Sequence, residues 1–180
     1  EKNRVRNPYQ TATTNTGTAY GIYNVSAGTA GNENRVYNNL VYDMNSAGIV
    51  YGIYANSYNK IYHNTVSLDH TGSTATGATY SIYCTGGVTT DIRNNIVSLT
   101  RGGTGTKYCL YYTGLPATSN NNVLYLNAAA GTNNIGYNGT AYTTLSAWQI
   151  ANPLYDGASV TLDPLFASPA TGDFSPSEPL

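Results

Sequence analysis

Charged residues are scarce in this chain of 180 residues: 9 are acidic and 8 are basic, so they occupy 9% of positions, where globular domains have roughly 25%. The net charge of −1 excludes the basic surface that nucleic-acid binding requires. No segment approaches the ~20 apolar residues of a membrane-spanning helix. Two cysteines are too few for a disulfide framework. We therefore expect no nucleic-acid partner and no membrane span.

Phenylalanine and methionine are also rare, with 2 and 1 copies, but tyrosine occurs 18 times. Asn, Ser, Thr and Gly are abundant in place of charged residues, and no long segment has a helix-forming composition. This mixture is typical of short strands joined by tight turns. Since the chain begins at Glu1, without a signal-peptide pattern, we expect a mature or trimmed product.

Two short sequence blocks recur along the chain and alternate with each other at similar intervals. The Tyr-x-Ile/Leu-Tyr block occupies Tyr20–Tyr23, Tyr51–Tyr54, Tyr80–Tyr83 and Tyr108–Tyr111. The second block occupies Asn34–Asn39, Asn59–Asn64 and Thr90–Asn95, with Asn3–Asn7 as an earlier copy. The units are too short for propeller blades, and they lack the amphipathic helix of helical or leucine-rich repeats. The repeat therefore predicts stacked coils of short parallel strands.

The fold class predicted is all-β: a right-handed, single-stranded parallel β-helix of about five coils, with 25–31 residues per coil. Residues 1–127 form the coils, and residues 128–180 form a decayed coil and capping segment of the same domain. Within 143–150 we expect a short helix with a Thr or Ser start, which covers the last coil with the single tryptophan, Trp148. An extended strand is expected at 162–166.

Alternation of side chains along the strands predicts which residues face inward. One inward column contains Val36, Ile61 and Ile92, and another contains Ile22, Ile53, Ile82 and Leu110. Asn39, Asn64, Asn95 and Asn122 are predicted to form an internal ladder of stacked amides where the chain bends. Asp43 falls in a column of leucines, so we expect the strand to end early and leave its carboxylate in solvent.

The tyrosine blocks, the Asn-Asn pairs, the Thr144–Gln149 segment and the final Asp163–Phe166 segment together resemble β-helical surface proteins of the Bacteroidetes and related bacteria. The likeness spans nearly the whole chain. Many such proteins carry a sorting domain for type IX secretion, which this sequence lacks. The resemblance implies the fold, an extracellular or cell-surface location and a piece of a longer polypeptide. It implies no reaction.

Catalytic and cofactor-binding residues are not indicated by the sequence, and no cofactor is expected. The nearest approach to an acidic pair for a metal or a lyase is Asp43 with Asp69, which alternation predicts to point apart. His63 replaces an Asn of a neighbouring column and is expected to be a hydrogen-bonded ladder member and not a ligand, because His70 is the only other histidine and no acidic partner is evident. Cys84 and Cys109 lie three residues out of register, so we expect free thiols.

Two outward surfaces are candidates for contact with a glycan or another protomer. One combines cations with tyrosines and contains Arg35, Lys60, Tyr37, Tyr62 and Arg93. The other is the column of Tyr23, Tyr54, Tyr83 and Tyr111. Both surfaces also fit a purely stabilising role, through cation–π contacts and ring stacking.

The sequence favours an extracellular structural or adhesive module, alone or self-associated into fibres, over an enzyme. The alternative is a polysaccharide-binding or lyase-like polysaccharide-degrading β-helix. The partners expected are accordingly a second copy of the chain or an extracellular polysaccharide.

Overall fold

The fold is described by a computed structural model for residues 1–9, 15–72, 74, 76–86 and 89–177. An incomplete first turn contains β1 (Arg4–Val5) and β2 (Ala19–Asn24). Four complete turns of three strands follow. They are β3 (Asn34–Tyr37), β4 (Leu40–Tyr42) and β5 (Val50–Ala55); β6 (Asn59–Tyr62), β7 (Thr65–Leu68) and β8 (Thr79–Cys84); β9 (Asp91–Arg93), β10 (Ile96–Leu99) and β11 (Lys107–Tyr112); and β12 (Thr118–Asn120), β13 (Val123–Leu126) and β14 (Asn133–Tyr137).

Equivalent strands of successive turns pair in parallel and build three sheets along the axis. Sheet I has the order β1-β4-β7-β10-β13, sheet II has β2-β5-β8-β11-β14, and sheet III has β3-β6-β9-β12. A short antiparallel strand, β15 (Ala141–Tyr142), is added to sheet II beside β14. The predicted parallel β-helix is therefore confirmed as a β-solenoid of about four turns. The expected five coils included the incomplete first turn.

The core consists of aliphatic columns inside the three sheets. Val36, Ile61 and Ile92 are buried, and they lie in register across sheet III. Ile53, Ile82 and Leu110 are fully buried in sheet II, whereas Ile22 is partly exposed because no turn lies beneath it. Each fully buried aliphatic side chain stabilises the fold by about 1.5–3 kcal/mol before the entropy of ordering is subtracted.

Asparagine side chains form a hydrogen-bonded column inside the bend between sheets III and I. Asn39 Nδ2 donates to Asn64 Oδ1 at 2.9 Å, Asn64 Nδ2 to Asn95 Oδ1 at 3.0 Å, and Asn95 Nδ2 to Asn122 Oδ1 at 3.1 Å. Each oxygen also accepts the backbone N–H of the asparagine one turn below. Asn3 extends the column downward by donating to Asn39 Oδ1 at 3.0 Å.

The left-handed backbone at this bend belongs to the residue that precedes each ladder asparagine. Asn38, His63, Asn94 and Asn121 have φ between +53° and +57°. The ladder residues themselves do not adopt this conformation. His63 shares the turn geometry, but its side chain is exposed and lies outside the internal column.

The N-terminal copy of the second block was also assigned to the wrong strand. Arg4 pairs with Leu40 in sheet I, so Asn3–Asn7 repeats the β4 segment and not the β3 segment. Arg4 and Arg6 consequently lie beside the ring of Tyr42, at 5.7 Å from its centre, and take no part in the Arg35 and Tyr37 columns.

A cap covers the last turn. After β15 (Ala141–Tyr142), helix α1 (Leu145–Ala151) begins with Thr144, whose hydroxyl accepts the Ala147 N–H at 3.1 Å, as the sequence predicts. Trp148 is fully buried against Tyr112 and Tyr142.

The Asn122 amide, at the upper end of the ladder, donates to the buried carboxylate of Asp156 at 3.1 Å. The same carboxylate accepts the indole N–H of Trp148 at 2.9 Å and the hydroxyls of Ser119 and Ser159. A carboxylate has no proton to donate, so it is a suitable final acceptor for a chain of amide donors. Asp156 thus joins the cap to the ladder, a role that sequence reasoning missed.

The C-terminal segment runs back along the outside of sheet I. Val160 bridges Val123 of the last turn, whereas Phe174 packs on Tyr42 near the first turn with ring centres 5.2 Å apart. The expected strand at 162–166 begins only at Phe166, since β16 (Phe166–Ser168) pairs with β17 (Asp173–Pro176) in a separate hairpin. A 3-10 helix (Pro169–Thr171) joins the two strands.

Two buried cations cross-link turns near the bend between sheets I and II. Arg101 is 1% exposed and donates to Thr79 Oγ1 at 2.5 Å and to the Gly48 carbonyl at 3.1 Å, two turns below. Lys107 Nζ donates to three carbonyls, including Ala130 O at 2.7 Å. Since neither forms an ion pair within the described residues, these carbonyls supply the compensating dipoles.

Replacing Asn64 by Ala should lower the free energy of unfolding by about 2–4 kcal/mol. The substitution leaves the buried Asn39 side-chain amide and backbone N–H without their acceptor, and it removes one of the two donors to Asn95 Oδ1. Chemical denaturation measures the change. Asn127→Ala is the matched control, because the Asn127 side chain is exposed and, among the described residues, donates only to Tyr125 Oη. Equal losses in the two variants would contradict the proposed importance of the ladder.

Replacing Trp148 by Ala should lower the free energy of unfolding by about 3–5 kcal/mol, since the substitution opens a cavity over the last turn and removes a hydrogen-bond donor from Asp156. Ile150→Ala on the same helix is the control, because Ile150 is 79% exposed. Thermal and chemical unfolding report the difference, and two variants of equal stability would rule out a capping role for the indole.

Candidate functional site

Tyrosines cover the outer face of sheet II in two adjacent columns, which we call the tyrosine ladder. The first column contains Tyr20, Tyr51, Tyr80 and Tyr108, and the second contains Tyr23, Tyr54, Tyr83, Tyr111 and Tyr137. The sequence predicted the second column as far as Tyr111. It missed the first column and the addition of Tyr137.

Within each column the rings stack almost parallel, apart from Tyr23, whose ring is tilted by 48° to that of Tyr54. Tyr20 and Tyr51 lie 4.8 Å apart at an interplanar angle of 5°, and Tyr83 and Tyr111 lie 4.9 Å apart at 7°. Between the columns the rings meet edge to face, as for Tyr80 and Tyr83 at 77°. Most ring faces are therefore covered by other rings, and the ladder presents mainly ring edges and hydroxyls outward.

The first column faces outward because sheet II departs from simple alternation. In β8, Ser81 and Ile82 are consecutive and both buried, so the two flanking tyrosines share the outer face. The small residue in this position is required in the lower turns: a Cβ on Gly52 would lie 2.5 Å from a methyl group of Val66. In the sequence, a Gly, Ser or Cys follows the first tyrosine of every block, and this small residue was the feature that could have indicated the outward first column.

Burial and neighbouring phenols keep the ladder protonated. Burial is the main cause that raises the pKa of Tyr51 to about 12, and the adjacent tyrosines add to the shift. The pKa values of Tyr80, Tyr83 and Tyr108 are raised for the same reasons. The ladder is thus an uncharged array of hydroxyls at neutral pH.

A second surface lies on sheet III, where Arg35, Tyr37, Lys60 and Tyr62 line a cavity of about 430 Å³, which we call the cationic groove. Arg35 is in register with Lys60, and Tyr37 with Tyr62. The sequence placed these four residues on one face, and the structure brings them together. Arg93 lies one turn above Tyr62 and outside the groove lining.

Most charges around the cationic groove are paired. Lys60 Nζ lies 3.2 Å from Glu33, Arg93 Nε lies 2.6 Å from Asp91, and the Tyr62 hydroxyl donates to Asp91 at 2.6 Å. Burial, and then this bond to Asp91, raises the pKa of Tyr62 to about 12. Arg35 is exposed and forms no ion pair with any residue in the described ranges.

Asp43 and Asp69 come together at the edge of sheet I, contrary to the prediction that they point apart. Strand β4 ends before Asp43, as expected, but φ of +44° turns the chain so that the Asp43 N–H donates to Asp69 Oδ1 at 3.0 Å. His70 Nδ1 lies 3.3 Å from Asp43 Oδ1, so this histidine does have an acidic partner.

These three residues line a cavity of about 450 Å³, which is bordered by Pro169 and Ala170 of the C-terminal segment. Burial raises the pKa of Asp69 despite the hydrogen bonds it accepts. In the described part of the chain, no three His, Cys, Asp or Glu side chains converge as a metal site would require.

The cysteines follow the prediction. Cys84 and Cys109 are buried free thiols, and Cys84 pairs in register with Tyr112. Burial raises the pKa of the Cys84 thiol to about 12, so it is protonated and unreactive at neutral pH.

Comparison with known proteins gives no match to a family model, a curated protein or a solved structure. Among the residues that the structure describes, no helix has the length and apolar character needed to cross a membrane. The class of the protein, a parallel β-solenoid, therefore rests on its own strand register.

Raising the pH from about 10 to about 12 should destabilise the fold. Tyr51 and Tyr62 have a pKa of about 12 in the fold against an ordinary 10.0, so the unfolded chain releases their protons first. Their contribution is complete below about pH 10 and is lost as the pH rises through about 12. Urea unfolding at several pH values, with tyrosinate absorbance as a second signal, measures this.

The control is Tyr51→Phe, which keeps the stacked ring and removes one titrating hydroxyl. Its stability should fall less steeply with pH than that of the wild type. The buried Lys107, whose pKa is lowered, acts in the opposite direction and is unchanged in both proteins. The same pH slope in both would contradict the role given to Tyr51.

Proposed function

We propose that the chain is an extracellular structural or adhesive β-solenoid module whose contact surface is the tyrosine ladder. The observation that carries the proposal is the stacking of eight tyrosines on one face of sheet II. Stacked pairs stabilise neighbouring turns by about 0.5–1.5 kcal/mol each. Tyrosine is also enriched where proteins meet other surfaces, because it combines a broad apolar ring with a hydroxyl.

The extracellular location is supported by the likeness to Bacteroidetes β-helical surface proteins. Self-association into fibres belongs to the same proposal, and the geometry favours a lateral contact. Strand β15 pairs with the edge of β14, and residues 156–160 hydrogen-bond the backbone of Ser119, Asn122 and Leu124 in the last turn, so these edges are already occupied and do not receive a following copy. The tyrosine ladder is the available face that repeats along the axis.

The test is retention of protein-coated beads on bacterial cells and on polysaccharide or protein films. The triple variant Tyr23→Phe, Tyr54→Phe, Tyr83→Phe keeps the rings and removes three outward hydroxyls. We expect it to fold normally and to lose roughly tenfold in retention, as several interfacial hydrogen bonds are lost. Tyr58→Phe, outside the ladder, should behave as wild type.

Sedimentation velocity over a range of concentrations tests self-association, and antibody detection in culture fractions tests location. Wild-type beads that never adhere, or a protein confined to the cytoplasmic fraction, would overturn the adhesive proposal. Sedimentation as a monomer at every concentration would contradict self-association into fibres.

Polysaccharide binding or degradation is the second candidate. The observation that favours binding is the cationic groove, whose tyrosines form no ring pair with each other, unlike those of the ladder. For degradation, the cavity of Asp43 and Asp69 offers two carboxyl groups in different environments, the general requirement of glycoside hydrolysis. Release of shortened chains from an acidic polysaccharide separates degradation from binding.

A further inference from the structure

The cationic groove has the dimensions of a subsite for one sugar ring. Its four side chains come from two adjacent turns, so its corners are about 4.8 Å apart across the strands and about 7 Å apart along them. The cavity of about 430 Å³ is within the range of small-ligand sites. One monosaccharide unit of a longer chain fits such a footprint.

The two tyrosines can receive a sugar because their rings do not stack on each other. Tyr37 and Tyr62 are in register, yet a cavity lies between their side chains and those of Arg35 and Lys60. In the tyrosine ladder, partners in register stack at 4.8 Å, as Tyr51 and Tyr80 do. An open ring face attracts the weakly positive C–H groups of a sugar through its own negative face.

Most of the groove is fixed in advance. The hydroxyl of Tyr62 is held by Asp91 at 2.6 Å, and Lys60 is held by Glu33 at 3.2 Å. Fewer rotamers remain to be ordered when a ligand binds, which lowers the entropic cost. The acids Glu33 and Asp91 also neutralise Lys60 and Arg93, so these two cations contribute little attraction for a further anion.

Arg35 is the exception, since it is exposed and has no carboxylate partner among the described residues. A guanidinium forms two parallel hydrogen bonds with a carboxylate or a sulfate ester, which a neutral hydroxyl group does not match. The groove therefore contains one cation without an ion pair beside two tyrosine rings that do not stack on each other.

We propose that the cationic groove binds an acidic sugar unit of a polysaccharide, with its anionic group on Arg35 and its ring against Tyr37 and Tyr62. This inference deepens the second candidate function, polysaccharide binding, and is independent of the adhesive role of the tyrosine ladder. Lys60 and the hydroxyl of Tyr62 border the bound ring, and Glu33 and Asp91 keep them in place.

The test is calorimetric titration with oligogalacturonate, an acidic probe, and with a cello-oligosaccharide, its neutral counterpart. The wild type should bind the acidic probe, bind the neutral probe at least roughly tenfold more weakly, and lose affinity as salt is raised. Arg35→Gln should weaken the acidic interaction roughly tenfold and reduce its salt dependence. Tyr37→Ala should weaken it, while Tyr37→Phe retains most of it.

Arg6→Gln is the matched control: it makes the same change of charge at the ring of Tyr42, outside the groove, and should bind as wild type. Arg35 is exposed, so its variant should fold, which circular dichroism checks. Absence of binding, equal affinity for both probes, or equal effects of Arg35→Gln and Arg6→Gln would overturn the proposal.

The same proteins distinguish the groove from the adhesive surface. The triple tyrosine variant should keep its oligogalacturonate affinity while losing bead retention. Arg35→Gln should lose oligogalacturonate affinity while keeping bead retention on protein films. A shift of the oligomeric state in Arg35→Gln, detected by sedimentation, would identify the groove as a contact between copies of the chain and would overturn its assignment to a sugar.

Discussion

The asparagine ladder is the constraint on which the remaining structure depends. An amide can donate to the amide above it and accept from the one below only when turns are spaced by the β-strand separation of about 4.8 Å. Asn64, Asn95 and Asn122 each donate a second hydrogen bond to a backbone carbonyl, such as Asn64 to Val36 O at 2.9 Å, which fixes the orientation of the side chain within its turn. A slip of one residue would bury unpaired amide groups, so register is strongly specified.

Fixed register determines what the outer faces can do. Since residues roughly thirty apart become direct neighbours, any side chain repeated in the sequence becomes a column on the surface. The loops between strands can vary in length without disturbing these columns, as the spacings of 25, 31 and 27 residues between ladder asparagines show. Stability in such a solenoid comes from contacts between adjacent turns. A turn at either end has only one neighbour, so its exposed apolar layer and unpaired polar groups need a cap. Here Asp156 accepts the last amide donor, and Trp148 covers the last apolar layer.

The parallel coils, the inward aliphatic columns and the capping helix were predictable, because periodicity in sequence becomes periodicity in space. Other features were not. The first tyrosine column depends on two consecutive buried residues in β5, β8 and β11 of sheet II, which alternation does not anticipate. Asp156 and the hairpin that contains Phe166 and Phe174 lie outside the repeated blocks. No equivalent residues recur in the sequence, so the residues that they contact could not be predicted from the repeat. The meeting of Asp43 with Asp69 depends on a positive φ in a non-glycine residue.

The same residue at the same spacing produces two different surfaces in this molecule. In sheet II each tyrosine has a second tyrosine beside it, and the edge-to-face contacts hold both columns in a stacked arrangement. In sheet III the neighbour of each tyrosine is a cation, and Asp91 draws the Tyr62 hydroxyl toward itself. The rings there are anchored separately, which leaves space between them. Whether a tyrosine column becomes a closed face or an open groove is therefore decided by the adjacent column and not by the repeat itself.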